Sequence, residues 1–328
     1  MSIGKKKRTR VLRGVMGLAV SGLLIWWIIG RADVAALGGA LAGTRFGWLG
    51  LAFAMFGAGL ALAAARWSLP LGVSGFSESG AFVLRVACVG HCFNMLLMGP
   101  VGGDIVKAAL YARWTRGSGA KTLAACAIDR LLAGGGSIVY GILIVLLIVF
   151  CGGMERLASL QLTGPAWRGA AILAALAAFA VWMFRARLLG NEFLRQSWNS
   201  FREVFRQFGG SRRLPALGVA LSLLNQIVWT SVLAICLVAV AGEDVAWGET
   251  LWVFPIVSTV AALPISVAGA GVREGTAVLL LRTCDVSAAD ALAAALLTSG
   301  VYLAWAAVGA LIAWREEMVF AAGGEASS

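Results

Sequence analysis

The chain is poor in charge. Asp, Glu, Lys and Arg make up 13% of its 328 residues, against about 25% in a soluble domain. That shortage excludes an ordinary soluble enzyme or scaffold. Histidine occurs once, as His91, so no zinc set can be built from histidines. The six cysteines (Cys88, Cys92, Cys126, Cys151, Cys236 and Cys284) fall mostly inside apolar segments, where they read as small buried hydrophobes. Cys88 and Cys92 flank His91 at helical spacing, but no second ligand group with zinc-type spacing accompanies them. No nucleotide-binding motif is present. We therefore expect no metal, no cofactor and no catalytic residues. Long polar segments are also scarce. The longest, Arg185 to Arg213, is too short for a second folded domain.

Apolar residues are what the chain has in plenty. They account for 60% of it, and the mean hydropathy is +0.87. This composition defines an all-α polytopic membrane protein, a single integral membrane domain over 1–328. The net charge of +11 does not point to nucleic acid, because the basic residues cluster at the edges of apolar runs. A span needs about 20 apolar residues, and six runs qualify: about 11–29, 46–65, 120–150, 166–184, 214–241 and 288–314. The first is long for a signal-peptide core and lacks a small-residue cleavage site, so it reads as a retained helix.

The Lys and Arg residues orient the chain. One side of the six-span arrangement collects Lys5, Lys6, Lys7, Arg8, Arg10, Arg13, Arg66, Arg113, Arg116, Lys121, the basic residues from Arg185 to Arg213, and Arg315. The other side holds Arg31, Arg45, Arg156, Arg168 and Arg282. Positive residues stay inside, so both termini are expected in the cytoplasm of a cell membrane. Segment 185–213 places Phe193, Phe201, Phe205 and Phe208 among Arg195, Arg202 and Arg206. It reads as an amphipathic helix on the anionic cytoplasmic leaflet.

Two further apolar segments, 80–113 and 248–282, are broken. The first contains Met98-Gly-Pro-Val-Gly-Gly-Asp104-Ile-Val-Lys107, and the second Leu263-Pro-Ile-Ser-Val-Ala-Gly-Ala-Gly-Val-Arg273-Glu274. Irregular backbone at membrane depth survives only where protein buries it or a cavity uses it. Charge bias does not separate a re-entrant hairpin of broken helices from a pair of short spans, and the shortness of Asp104 to Ala112, about 14 Å as helix, favours the hairpin. The order span, span, hairpin, span then occurs twice, over about 11–150 and 166–314, with three spans per half and therefore in inverted orientation. Inverted repeats with paired breaks mark the binding sites of many transporters.

The charges inside the membrane point the same way. Arg85, Asp104, Lys107, Asp129, Arg130, Arg273 and Glu274 lie in apolar segments, where each is costly without a partner. Asp104 and Lys107 are expected to pair at i,i+3, and Asp129 or Glu274 to meet Arg85 or Arg273. The short helices are expected to begin near Asp104 and Glu274. Their N-termini carry free N–H groups and partial positive charge, and Gly102, Gly103, Gly269 and Gly271 allow close approach to that backbone. Together with Arg85, Lys107, Arg130 and Arg273 they form an anion site suited to a phosphate. His91, Asn94, Tyr111, Asp129, Thr298 and Tyr302 are auxiliary polar candidates, and Asn225, Gln226, Ser258 and Thr259 suit a wet groove. Trp167, Trp198, Trp247, Trp252 and Trp314 read as interfacial anchors.

At these residues the chain resembles the lysylphosphatidylglycerol synthase transmembrane, flippase-like family. The matching pieces are Pro100-x-Gly-Gly-Asp104-x-x-Lys107 with Arg113, then Asp129-Arg130, then Gly269-x-Gly271-x-Arg273-Glu274. The resemblance implies a membrane unit that moves aminoacylated phospholipids between leaflets, with relatives in isoprenoid-lipid and glycolipid pathways. The aminoacyl-transferase domain of some relatives is absent, and Lys107 and Asp129 stand where Arg and Glu are common. The expected function is translocation of an anionic or zwitterionic phospholipid, or of a polyprenyl-phosphate lipid. Two readings stay open beside it: an intramembrane enzyme acting on a lipid-linked sugar, and a non-catalytic partner of a lipid-synthesis enzyme. The expected partners are membrane lipids.

Overall fold

The structure is a computed structural model that describes residues 22, 30, 33–96, 100–150, 192–242, 247–261 and 266–325. Apart from residue 22, the expected spans at 11–29 and 166–184, and the residues Met98, Gly99, Pro264 and Trp167, lie outside the described residues. Those described form helices and connecting turns, with no strand among them. In chain order they are α1 (Val34–Ala42), α2 (Phe46–Val73), α3 (Gly80–Leu96), α4 (Pro100–Trp114), α5 (Gly119–Phe150) and α6 (Glu192–Gly210). There follow α7 (Arg213–Ala241), α8 (Trp247–Ala261), a 3₁₀ turn at Val267–Gly269, α9 (Val272–Leu281), a 3₁₀ turn at Arg282–Cys284, and α10 (Ala288–Glu325).

Among the described residues four helices are long and apolar enough to cross a membrane: Phe46–Val73, Gly119–Leu147, Arg213–Ala241 and Ala288–Glu316. The chain is therefore a multi-pass membrane protein. These four coincide with expected spans, but α2 runs eight residues beyond its expected end at Ala65. Arg66, assigned by sequence to the cytoplasmic rim, is instead inside the bundle and buried. A charge following an apolar run looks like a boundary; here α2 continues because a carboxylate across the bundle neutralises it. The short helix α1 had no counterpart among the expected elements. It is capped by Asp33, whose Oδ1 accepts from the N–H groups of Ala35 (3.0 Å) and Ala36 (3.1 Å).

Direction follows from which ends meet. The start of α2 lies at the end of α7, where the Arg45 N–H donates to the Ala239 carbonyl at 3.0 Å. The start of α10 joins that end: Leu292 and Ala293 pack with Leu37, Val240 and Val278. At the opposite end, Leu69 and Val73 of α2 pack with Ala124 and Ile128 of α5 and with Val204 and Phe208 of α6. Helix α2 is thus antiparallel to α7, and α5 to α10.

The two broken segments are short helices folded back on themselves. In the first, Gly90 of α3 faces Lys107 of α4, and Asn94 faces Gly103. Both its ends lie together, because Gly117 packs against the Phe76 ring. In the second, α8 packs on α9, with Gly269 at the tip against Ala261. With 17 and 15 residues, α3 and α4 reach only about 26 and 23 Å, less than the roughly 30 Å hydrocarbon core.

Proline shapes α8. Pro255 cannot donate an N–H to the Leu251 carbonyl one turn back, and that carbonyl accepts instead from the Tyr140 hydroxyl of α5 at 3.3 Å. The proline-containing helix is thereby tied to its neighbour. Small side chains let α10 approach the bundle: Ala291, Ala294 and Ala295 are buried in the main apolar cluster with Phe56, Val232 and Leu281. Trp252 packs on that cluster as well and is partly buried, whereas Trp198 and Trp314 are exposed.

Candidate functional site

Inside the bundle α3 meets the turn at Val267–Gly269, and the two short-helix pairs line a half-open cavity of about 330 Å³. Helices α3 and α4 contribute His91, Asn94, Asp104 and Lys107. Helices α8 and α9, with the turn between them, contribute Ser258, Ala268 and Arg273. The long helices complete it with Arg66, Asp129, Arg130, Ser137, Asn225, Gln226, Trp229 and Tyr302.

A chain of five charged side chains occupies one wall. Arg66 donates from Nε to Asp129 Oδ1 at 2.7 Å, and Nη1 reaches Ser222 Oγ at 3.3 Å. Lys107 sits between the two aspartates, 3.6 Å from Asp104 Oδ1 and 4.0 Å from Asp129 Oδ2. Its ammonium also lies 4.1 Å from the centre of the Trp67 ring, a further stabilising contact for a cation. Arg130 clamps Asp104 through Nε and, at 2.9 Å, through Nη2, the two-pronged geometry that favours arginine over lysine. The i,i+3 pairing of Asp104 with Lys107 is therefore present, but Asp129 meets Arg66 and Lys107, not Arg85 or Arg273.

The opposite wall is held differently. Arg273 donates to the Ala268 carbonyl at 2.6 Å and to Ser299 Oγ at 3.4 Å, and its guanidinium stacks over Tyr302 at 4.5 Å. Among the described residues no carboxylate lies within ion-pair distance of it. Glu274 is turned away from the cavity: it accepts from the Gly271 N–H at 2.6 Å and from the Ser299 hydroxyl. It caps α9 and pairs with neither Arg85 nor Arg273. Nearby, His91 Nε2 is 2.9 Å from the Tyr302 carbonyl.

Of the residues singled out by sequence, Asp104, Lys107, Arg130, Arg273, His91, Asn94, Asp129 and Tyr302 line the cavity. Arg85 does not. It forms a half-exposed ion pair with Glu316 at 2.6 Å, where α3 meets the far part of α10. Tyr111 is sealed among Trp67, Phe76 and Phe82, and Thr298 bonds the Ala294 carbonyl one turn back at 2.8 Å. Neither reaches the cavity. Gly102 lies in the first turn of α4 outside the lining.

The glycines serve the hairpins. A Cβ on Gly103 would come 2.6 Å from the Gly90 carbonyl, so glycine there permits α3 and α4 to touch. Helix α4 begins at Pro100, not near Asp104; proline suits a first helical position, and Asp104 lies a turn inside. Gly269 and Gly271, at φ of +76° and +81°, make the reversal at the tip of the second pair together with Ala268 at +54°. That turn is what aims Arg273 inward.

Sequence reading missed Arg66 and Trp229 as lining residues, and Ser137 and Ser222 with them. Arg66 carries the one usable signal: an arginine followed by Trp67 and further apolar residues is unlike a solvated loop. Three residues of the lining also carry buried polar atoms without a partner. Asn225 is 8% exposed and its Oδ1 has no hydrogen-bond partner, as is true of Asn94 Oδ1 and Trp229 Nε1. Among the described residues no group of three or more His, Cys, Asp or Glu side chains is placed to hold a metal ion.

Four long apolar helices around an ion-lined cavity define an integral membrane protein with a polar site between its helices. The family model for the lysylphosphatidylglycerol synthase TM region matches residues 14–309, and the chain belongs to that family. No curated protein matches it significantly.

Proposed function

We propose that the protein is a flippase-like translocator of an anionic or zwitterionic phospholipid, or of a polyprenyl-phosphate lipid, in the cell membrane. The observation that carries this reading is the cavity itself: among the described residues Arg66, Lys107, Arg130 and Arg273 face it against Asp104 and Asp129. An excess of cations in a buried site attracts an anion, and phosphate is the anion that every phospholipid brings. The cavity is at the small end of the range for small-molecule sites, about 300–1,000 Å³. It suits a headgroup, leaving the acyl chains in the bilayer. Arg130 offers a way in, being 45% exposed along its side chain although it sits about 16 Å along α5.

In this reading α3–α4 and α8–α9 are re-entrant hairpins that enter from opposite faces, and the two halves form an inverted repeat. The antiparallel pairs α2/α7 and α5/α10 and the meeting of α3 with the turn at Val267–Gly269 support that arrangement. Two more spans, at 11–29 and 166–184, bring the count to six and both termini to the cytoplasm. Alternating access would follow from one half rocking against the other around the fixed charges. The protein acts without catalysis, and a lipid-synthesis enzyme is a natural partner as supplier of the lipid.

The test is leaflet exchange. Purified protein in liposomes should accelerate movement of labelled phospholipid to the opposite leaflet, and Arg273→Ala at equal insertion should abolish the effect. Exchange no faster than in protein-free liposomes, over a panel of phospholipids and polyprenyl phosphates, would rule the reading out.

A further inference from the structure

A titratable ring stands beside the proposed anion site, and what it does there rests on the anion-handling reading above. The chain has one histidine, His91, and α3 buries it in the cavity wall. Its Nε2 lies 2.9 Å from the Tyr302 carbonyl of α10. A carbonyl only accepts, so Nε2 carries a hydrogen, and Nδ1 is the nitrogen that gains or loses a proton. Nδ1 meets no partner among the described residues, and unlike Asn94 Oδ1 and Asn225 Oδ1 it is not sealed off. The same tyrosine carries the Arg273 guanidinium over its ring at 4.5 Å. One residue thus holds both the histidine and the cation that meets no carboxylate among the described residues.

The surrounding charges decide the state of the ring. Helix α4 brings Asp104 and Lys107 to the cavity, α2 brings Arg66, and α5 brings Asp129 and Arg130. On α3 itself the thiols of Cys88 and Cys92 flank His91, and Arg85 is paired with Glu316 of α10. The turn at Val267–Gly269 has no ionisable side chain. Both lining carboxylates are already held, Asp104 by Arg130 and Lys107, and Asp129 by Arg66 and Lys107. Glu274 is turned to the Gly271 N–H and the Ser299 hydroxyl. Without an anion, an imidazolium would add to an excess of cations. A phosphate beside Arg273 reverses that balance, because an opposite charge favours the protonated ring. By linkage the protonated ring favours the phosphate to the same extent.

We propose that His91 couples the anion site to protons: Nδ1 takes up a proton as a phosphate enters beside Arg273 and releases it as the phosphate leaves, so that anion and proton move together. The proton comes from the solution and returns to it, and no bond of the lipid is made or broken. The tie from Nε2 to α10 is kept in both states, because it uses the hydrogen that Nε2 always carries. A pH difference across the membrane then biases the direction in which the anion travels.

The single histidine makes the test direct. Full-length protein carrying isotope-labelled histidine, purified in detergent without a histidine tag, shows one imidazole by nuclear magnetic resonance, and its nitrogen shifts report the protonation state. The probe is phosphatidylglycerol, whose phosphodiester keeps its one charge across the range from about pH 5 to about pH 8 in which histidine titrates. Near neutral pH the ring should be neutral in the lipid-free protein and doubly protonated with the lipid bound. Phosphatidylglycerol should bind about tenfold more tightly at about pH 5 than at about pH 8. His91→Gln keeps a donor for the Tyr302 carbonyl but cannot titrate, so it should bind the lipid without that pH dependence. A ring whose state does not change on binding, or equal affinity at both pH values, overturns the inference and leaves the anion reading standing; neither measurement needs a variant. A folded His91→Gln protein that keeps the tenfold difference also overturns it, and moves the proton to Asp104 or Asp129. Failure to bind phosphatidylglycerol at either pH overturns the anion site itself. Protonation of the ring by soluble glycerophosphoglycerol, as complete as by the lipid, would count against a lipid cargo and leave the proton site standing.

Discussion

Arg66 and Asp129 stand 63 residues apart in the chain, and their side chains meet at 2.7 Å, each only 7% exposed. This pair ties α2 to α5 at membrane depth and anchors the charged wall of the cavity. Removing one partner of a buried pair leaves an uncompensated charge, at a cost of about 3–5 kcal/mol. Arg66→Met should therefore lower the thermal stability of the detergent-purified protein sharply, and Arg66→Met with Asp129→Leu should recover most of it. Size-exclusion profiles after a heating series would read both. An Arg66→Met variant as stable as the parent would show that the pair does not hold the bundle.

Gly103 and Gly134 should behave in opposite ways. Gly103→Val drives a side chain toward the Gly90 carbonyl and should prevent α3 and α4 from packing, with loss of monodisperse protein. A Cβ on Gly134 would meet nothing within 4 Å, so Gly134→Ala should be neutral or should stabilise α5 by up to about 1 kcal/mol. Melting curves of the two variants make the comparison. Equal tolerance at both sites would remove the close-packing role assigned to Gly103.

The proposed membrane sidedness gives a labelling prediction. Loops 74–79 and 115–118 lie at one end of the bundle and loop 282–287 at the other. In a cysteine-free background, a membrane-impermeant maleimide should modify Ser287→Cys in intact cells. Ser77→Cys and Ser118→Cys should react only after the membrane is opened. Reaction of all three from one side would exclude hairpins entering from opposite faces.

Helix α6 supplies a fourth prediction. Trp198, Phe201 and Phe205 form a stacked row, with centroids 5.6 and 5.7 Å apart, and Trp198 and Phe205 are exposed beside exposed Arg195, Arg202 and Arg206. A peptide of residues 192–210 should become helical on vesicles containing phosphatidylglycerol and stay unfolded with phosphatidylcholine alone. Each basic residue near an anionic surface contributes about 1 kcal/mol, and salt screens it. Circular dichroism at low and high salt would show this. Equal helicity on both vesicles would mean that the arginines do not face lipid headgroups.

Composition by itself determined that this chain is a helical membrane protein. With 60% hydrophobic residues and 13% charged, apolar runs of about 20 residues fit helices in lipid, which satisfy every backbone group within one segment, whereas a barrel strand needs only about 10. The break near Gly269 and Gly271 was equally legible, because those glycines turn the chain by local sterics alone; Gly102 and Gly103, expected to lie in the first break, are instead inside α4. The family was legible as well, through the spacing of Asp104, Lys107, Asp129, Arg130, Arg273 and Glu274. Tertiary structure alone decided who pairs with whom. Asp129 had several arginines within plausible reach in the sequence, and only the packing of α2 on α5 selects Arg66, a residue that local hydropathy placed at a membrane edge. Likewise, Arg85 and Glu274 carry charges of the expected kind but point elsewhere, one to Glu316 and the other to its own helix end. A hydropathy pattern specifies how deep a charge lies along its helix. Its direction around that helix, and the partner waiting there, depend on contacts between segments distant in sequence.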